Sequence, residues 1–525
     1  MIKDRFLYNT SKLNIKHKQY NKPSLSTKRK KRGMEFLTNC LLCLLFTFIL
    51  VGTFHSKSRT SKFQGKLPPG PVPLPILGNF LELGDKPHVS LANLAKAHGP
   101  IMSLKLGQVT TIVFSSATMA KEVLQKHIGD AVQVHQHSEG SVVWLPVATR
   151  WRNLRKIFNS HIFRKQKLDE KQYLRRKKMQ ELVAYVKECC QAGCAVDIGQ
   201  VAFNTTLNLL SSTTFSVDLA DPRSDTAQEF KEVVWRIMEE AGKPNLGDYF
   251  PVLRKIDPQG IRRRLGIHFG KLFDIFDGMK NERLQLRKSP GYSSTNDVLD
   301  TLLNITEDNS EAMNRSNIKH LLLDLFVAGT DTTSTTLEWA MAELLRNPKT
   351  LAKAQEELEQ TIGKRNQLEE SDIPRLPYLQ AIIKENFRLH PTVPLLLPRK
   401  AGEDVEMNGY IVPKGAQIIV NAWNIGRDPS SWEDPNKFMP ERFLGSDIEP
   451  LGRNFELIPF GGGRRVCPGL PLALRMLHLM LGTLVHSFNW KLEEGVKAEE
   501  MDMEEKFGIS LAKAQPLRAV PLSIQ

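Results

Sequence analysis

Between residues 460 and 469 the chain reads Phe-Gly-Gly-Gly-Arg-Arg-Val-Cys-Pro-Gly. Glycine at that density breaks helix and strand alike, so the segment is a shaped loop. Glycines on both sides of Cys467 let the backbone come close to a flat partner and aim N–H groups at the sulfur. Such donors, with arginines nearby, favour thiolate over thiol. Arg465, two residues before the cysteine, is placed to meet an anionic group on the same partner. The plainer reading is a glycine-rich turn around a structural cysteine. Phosphate binding fits poorly, because the Gly-x-x-x-x-Gly-Lys-Ser/Thr pattern is missing.

The rest of the chain suggests one large unit. Its 525 residues are 41% hydrophobic and 25% charged, which is ordinary globular composition. No internal repeat or long low-complexity linker follows residue 75. Helical periodicity marks 181–190, 227–240, 318–345 and 351–362. Short strand-like runs occur at 101–106, 110–114 and 416–420, and prolines and glycines make 429–469 mostly loop. The expected fold is mostly α with small β-sheets. Six cysteines are too few for a disulfide framework, which fits a reducing compartment. Cys189, Cys190 and Cys194 lack a second ligand pair at zinc spacing and read as ordinary helix residues.

The N-terminal region reads differently. Eleven basic residues and only Asp4 among the acids precede Met34, so much of the net charge of +15 is concentrated there. A run such as Lys28-Arg29-Lys30-Lys31-Arg32 suits nucleic acid or anionic lipid, but a disordered flank is the simpler reading. Residues 36–54 carry no charge and as a helix would span about 28 Å, close to the hydrocarbon core of a bilayer. A small-x-small cleavage site is not evident, so an uncleaved anchor is expected over 34–56. Lys57, Arg59, Lys62 and Lys66 follow and would hold the bulk of the chain in the cytosol. The basic arm pulls the other way, and translation from Met34 would remove the conflict. Residues 1–33 are therefore expected to be absent from the functional protein or disordered. Five prolines between Pro68 and Pro75 suggest a stiff extended spacer, making 57–75 a hinge and 76–525 the main domain.

Three further segments bear on chemistry. Glu385 and Arg388 share a helix face and could be a simple surface i,i+3 pair. Ala328-Gly329-Thr330-Asp331-Thr332-Thr333 puts a glycine and three threonines into mid-helix, where they are unfavourable. That is a weak spot, a kink, or a local opening with a function. Trp151 and Arg155 stand one helical turn apart.

Taken together, these segments resemble the cytochrome P450 family from about Pro68 to the C-terminus. Phe460, Gly463, Arg465, Cys467 and Gly469 match the family's haem-loop signature at every fixed position. The resemblance implies a P450 fold behind a transmembrane helix, haem b, and Cys467 as the thiolate ligand that pushes electron density toward O–O cleavage. It makes Trp151, Arg155, Arg399 and Arg465 partners of the haem propionates. It joins Glu385 and Arg388 to Arg442 of Pro440-Glu441-Arg442-Phe443, a network that holds the fold around the haem. It assigns Asp331 and Thr332 an acid–alcohol pair that delivers protons to the oxygen being activated, in a helix opened locally for O₂. It also implies electrons from an NADPH–cytochrome P450 reductase. The location implied is the endoplasmic reticulum membrane, single-pass with a cytosolic catalytic domain and contact with membrane lipid. No nucleic-acid partner is expected.

Phe455-Glu456-Leu457-Ile458-Pro459-Phe460, Cys467-Pro468-Gly469-Leu470-Pro471-Leu472-Ala473 and Glu505-Lys506-Phe507-Gly508-Ile509 are similar to geraniol 8-hydroxylase-like plant P450s, with ferruginol synthase-like sequences nearly as close. That implies an apolar terpenoid substrate, a geraniol-type monoterpenol first and a diterpene second. The pocket residues implied are Val142, Val143, Leu322, Leu325, Phe326, Val393, Leu395, Leu396 and Ile509. In resembling sequences the stretch between His127 and Asp130 is longer by roughly ten residues, in the kind of loop where function concentrates. Such a shortening keeps an inactive relative open as an alternative. A haem-binding isomerase or dehydratase would have lost the acid–alcohol pair, so Asp331 and Thr332 argue against it. A non-enzymatic membrane protein has no use for the complete Cys467 loop.

Overall fold

Helix dominates because apolar residues recur every three or four positions over long stretches. The structure, a computed structural model, describes residues 66–524 except 126–129, 132–136, 138–139, 221–224, 309–312, 365 and 494. The expected anchor at 34–56 and the basic arm lie outside the described residues. So do most of the positions around the shortened stretch after His127.

The described helices of nine or more residues are α1 (Pro87–His98), α2 (Ala117–Gln125), α3 (Thr149–Ile157), α4 (Gln172–Ala192), α5 (Ile198–Phe215) and α6 (Asp225–Gly242). They continue with α7 (Ile261–Leu286), α8 (Val298–Asp308), α9 (Ile318–Arg346), α10 (Pro348–Ile362), α11 (Pro377–Leu389) and α12 (Leu470–Ser487). All four stretches expected to be helical lie inside these bounds. The region 429–469 holds only two short 3-10 turns, Pro440–Phe443 and Gly463–Arg465.

The axis of the fold is α9, 29 residues and about 44 Å long. It packs most extensively on α5 and also on α12, α7 and α11. Its first turns, from Ile318 to Phe326, enter one apolar core with α3, α5, α6, α7 and α8. Its last turns, from Leu337 to Leu345, enter a second core with α4, α10, α11 and α12. The small residues 328–333 lie between the two cores. Leu470–Ser487 is the one helix among the described residues long and apolar enough to cross a membrane, and most of it is packed inside the second core.

The main sheet contains β1 (Ile101–Leu106), β2 (Val109–Phe114), β3 (Asp130–Ala131), β4 (Arg399–Lys400) and β5 (Gln417–Val420), in the order β1-β2-β5-β4-β3. β2 and β5 run parallel, with Thr111 opposite Gln417, and β4 is antiparallel to both of its neighbours. Arg399 therefore sits between Ile418 and Ala131. Smaller sheets pair Arg518–Ser523 with Phe488–Leu492 and Val196–Asp197, and Glu505–Lys506 with Ala512–Lys513.

The proline-rich run is not a free spacer. The Pro69 carbonyl accepts from Ser103 N at 2.8 Å and the Pro68 carbonyl from Ser103 Oγ at 2.7 Å. Prolines lack N–H groups but keep their carbonyls, so the run docks on β1 as an acceptor. Gly70 permits the approach, since a Cβ there would lie 1.8 Å from the Ser103 carbonyl oxygen. Among the described residues, Pro68 to Gly70 thus pack against the main sheet.

Candidate active site

The cysteine loop is built by its glycines. Gly461 and Gly463 adopt φ of 69° and 68°, in the left-handed region. The turn closes through Val466 N to Gly463 O at 3.1 Å and Cys467 N to Phe460 O at 3.0 Å. The Phe460 ring meets Phe387 of α11 edge-on at 5.2 Å, tying loop to helix. Cys467 stands just before α12, and the N–H groups of Gly469 and Leu470 bond its sulfur. Burial pushes the thiol up; those two N–H groups and the Arg155 charge act the other way.

Four cationic or indole side chains converge on this loop. On α3, Arg155 donates through Nη2 to the Val466 carbonyl, and Trp151 donates through Nε1 to Val142 O at 2.9 Å. Arg465 donates to the carbonyls of Val143 and Leu145, with its guanidinium 5.1 Å over the Trp151 ring. Arg399 is buried, and its Nη1 has no partner. Burial, and then the like charge of Arg465, lower Arg399 to about 10. A buried guanidinium with an unused donor, beside a half-buried one that repels it, forms a donor set for an anionic group. With a thiol bonded by two backbone N–H groups, this set fits haem, whose iron takes a thiolate and whose propionates take arginines.

Behind the loop lies a closed polar hub. Glu385 and Arg388 of α11 are both fully buried, paired fork to fork at 2.7 Å through Nε and Nη2. Arg442 Nε and Met439 N also donate to Glu385, at 3.1 and 2.8 Å. Arg388 Nη1 serves the carbonyls of Gly426 and Pro435, both at 2.6 Å.

On α9 the helix does not break at 328–333. Thr330, Thr332 and Thr333 return their hydroxyls to the carbonyls of Phe326, Ala328 and Gly329 at 2.7, 2.6 and 2.9 Å. The expected opening is instead a strip of small side chains: Ala328 is exposed and Gly329 and Thr332 are half-buried, in a helix otherwise buried around them. Asp331 points elsewhere. It is buried and accepts from Ser510 Oγ. Burial pushes its carboxyl up, opposed by that bond and by the Lys231 charge.

The pocket residues divide. Val393, Leu395 and Ile509 are half-buried, and the segments carrying Val393 and Ile509 meet where Leu511 N donates to Thr392 O at 2.7 Å. Thr392 is in turn bonded to Thr336 of α9 at 2.8 Å. Val143 is half-buried beside buried Val142, while buried Leu396 joins the core beneath the main sheet. Leu322 and Phe326 belong to the core: Phe326 stacks on Phe215 at 5.6 Å and contacts Phe276 and Phe230. Leu325 faces a cavity of about 40 Å³ shared with Phe163 and Leu210, too small for a substrate.

Sequence reading passed over Asp324, His137 and His320, although a lone carboxylate in Leu321-Leu322-Leu323-Asp324-Leu325-Phe326 was a signal. It also passed over Glu338, which burial lifts to about 7.

Comparisons with known proteins agree over nearly the whole length. The model of the family described as cytochrome P450 matches residues 68–517. The chain is 57% identical to a geraniol 8-hydroxylase of Catharanthus roseus, over 94% of this chain and all of that one. It is 56% identical to a geraniol 8-hydroxylase of Swertia mussotii, over 93% and 99% of the two chains. It is 52% identical to a drimenol monooxygenase of Persicaria hydropiper, over 92% and 97%.

Proposed function

The chain belongs to the cytochrome P450 family, and from that premise we propose a haem-thiolate monooxygenase that hydroxylates a geraniol-type terpenoid alcohol, with Cys467 as the iron ligand. The observation that carries the site is the paired donor set: two backbone N–H groups on the Cys467 sulfur, and the unpartnered Nη1 of buried Arg399 beside Arg465. Haem b supplies O₂ activation, with one oxygen atom entering a C–H bond and the other leaving as water at the cost of two electrons from NADPH.

The protein's own groups do the rest. The N–H groups of Gly469 and Leu470 stabilise negative charge on sulfur. Arg399, through its unused Nη1, would take a carboxylate of the cofactor, with the Arg465 and Arg155 charges beside it, while Trp151, its one N–H given to the Val142 carbonyl, would support the Arg465 guanidinium through its ring. Asp331, its carboxyl pushed up by burial, is the acid of α9, with Ser510 donating to one of its oxygens. Thr332 presents a hydroxyl on the strip with Ala328, from which it would donate a proton. The Glu385–Arg388–Arg442 hub holds the loop that carries Cys467.

The terpenoid substrate rests on relatives named for geraniol and drimenol, and on the apolar character of Val143, Val393, Leu395 and Ile509. The drimenol relative favours a larger terpenoid alcohol as the second reading. The charge-free run 36–54, followed by Lys57, Arg59, Lys62 and Lys66, supports a single-pass anchor in the endoplasmic reticulum beside an NADPH–cytochrome P450 reductase. The test is a reduced, CO-bound spectrum followed by incubation with reductase, NADPH and geraniol. A thiolate-type band and a hydroxylated geraniol are expected. Turnover confined to fatty acids or phenylpropanoids would overturn the substrate while leaving the reaction intact.

A further inference from the structure

Asp324 is a carboxylate almost fully buried in the apolar first half of α9, where a charge without partners costs several kcal/mol. Its partners come from one neighbouring segment. Oδ1 accepts from His137 Nε2 at 2.9 Å and from Ser141 Oγ at 2.7 Å, and Oδ2 accepts from Val142 N at 2.7 Å. His137, facing the carboxylate through Nε2, shares a hydrogen bond with His320 through the two Nδ1 atoms at 2.9 Å. His320 lies one turn before Asp324, and burial above all holds its imidazole down to about 4. Phe273 of α7 stands edge-on to His320 at 4.9 Å, and Phe269 lies 5.4 Å from His137. Gly140 allows the crossing, since a Cβ there would meet the His320 ring at 2.7 Å.

The same segment is held from the other side. The Val142 carbonyl takes the Trp151 indole N–H, and the carbonyls of Val143 and Leu145 take the Arg465 guanidinium. Residues 140–145 therefore hang between α9 and the cysteine loop, with Val143 half-buried between the two grips. One turn beyond Asp324 is exposed Ala328, and one turn further is Thr332. An apolar contact would cover the segment equally well. What a carboxylate with three directed bonds adds is one register for it.

We propose that Asp324 is a positioning residue for substrate selection: by gripping His137, Ser141 and Val142 it fixes residues 140–145 and so sets which substrates fit. The proposal rests on the reading above only in taking this segment as a wall of the substrate pocket.

The test uses the full-length, haem-loaded protein and three variants: Asp324→Asn, Ser141→Ala and the doubly apolar Asp324→Leu with His137→Leu. Three readouts are taken: hydrogen exchange of 140–145, the reduced CO spectrum, and dissociation constants from haem spectral shifts for geraniol, drimenol and 4-phenylimidazole. In Asp324→Asn, loss of charge-assisted bonds should speed exchange and weaken binding of geraniol and phenylimidazole about ten-fold, with the CO band unchanged. The apolar pair should recover thermal stability but not the wild-type ratio of geraniol to drimenol affinity. Should Asp324→Asn not load haem, Ser141→Ala carries the test, with the same changes at smaller amplitude. Unchanged affinities and ratio overturn the proposal, whether or not exchange speeds up. If wild type binds phenylimidazole but neither terpenol, the terpenoid reading fails, and the grip is judged on exchange and phenylimidazole alone.

Discussion

At Cys467 two effects oppose each other: burial favours the neutral thiol, while two backbone N–H groups and the Arg155 charge favour thiolate. Serine in its place keeps the size and loses the soft ligand. Cys467→Ser is expected to remove the thiolate-type CO band and all monooxygenase product. Turnover at the wild-type rate would refute the assignment. Glu385 presents the complementary case, a carboxylate with every donor in place. Glu385→Ala strands Arg388 and Arg442 without their anion, which costs about 3–5 kcal/mol when the group is fully buried. The expected outcome is little haem-loaded protein, measured as haem per polypeptide after purification, and normal loading would count against the hub's role. A surface pair would cost no more than about 1 kcal/mol.

Within α9, the acid and the alcohol are neighbours in sequence that face different surroundings. Thr332→Ala should keep haem and fold while lowering product per NADPH, with the missing electrons appearing as hydrogen peroxide. An unchanged ratio would exclude Thr332 from proton delivery. Two turns on, Glu338 reports through pH. Its folded pKa of about 7 is raised from 4.5, so the folded state holds a proton that the unfolded state has lost across that window. Stability is fully present below the unfolded value and falls as pH rises through the folded one, by about 3 kcal/mol. Glu338→Gln keeps an acceptor for Leu517 N and removes the titration. Its denaturation midpoint should therefore fall less than wild type's between pH 5 and pH 8, and parallel curves would contradict this.

How legible these elements were depended on their surroundings. β1 was readable as a strand at its observed bounds, and the contact of Glu385 with Arg388 was readable because residues three apart share a helix face. α5 was not singled out, because it is buried on nearly all sides and shows no polar face to give a period. Phe326 and Leu322 were assigned to the pocket because an apolar residue looks the same whether it faces a ligand or the core. The Asp324 grip joins positions more than 180 apart in sequence, so only the carboxylate's odd company gave it away.

Taken whole, the described chain from Lys66 onward contains both cores, the hub and the cysteine loop. A chain begun at Gln64 should still bind haem and give the same CO band, but should no longer sediment with membranes. Loss of haem binding on that truncation would mean that the preceding residues are part of the catalytic fold. The hub also has a consequence in time. Arg388 bonds the carbonyls of Gly426, Pro435 and Lys437, and Glu385 bonds Met439 and Arg442, so one buried pair anchors the whole approach to the cysteine loop. To unravel that approach, charges must part in a dry interior before water reaches them, and this loads the cost onto the barrier rather than the end state. Escape of the prosthetic group should then be slow even where the folded state is only modestly favoured, and the working lifetime of the enzyme becomes a rate set behind the haem.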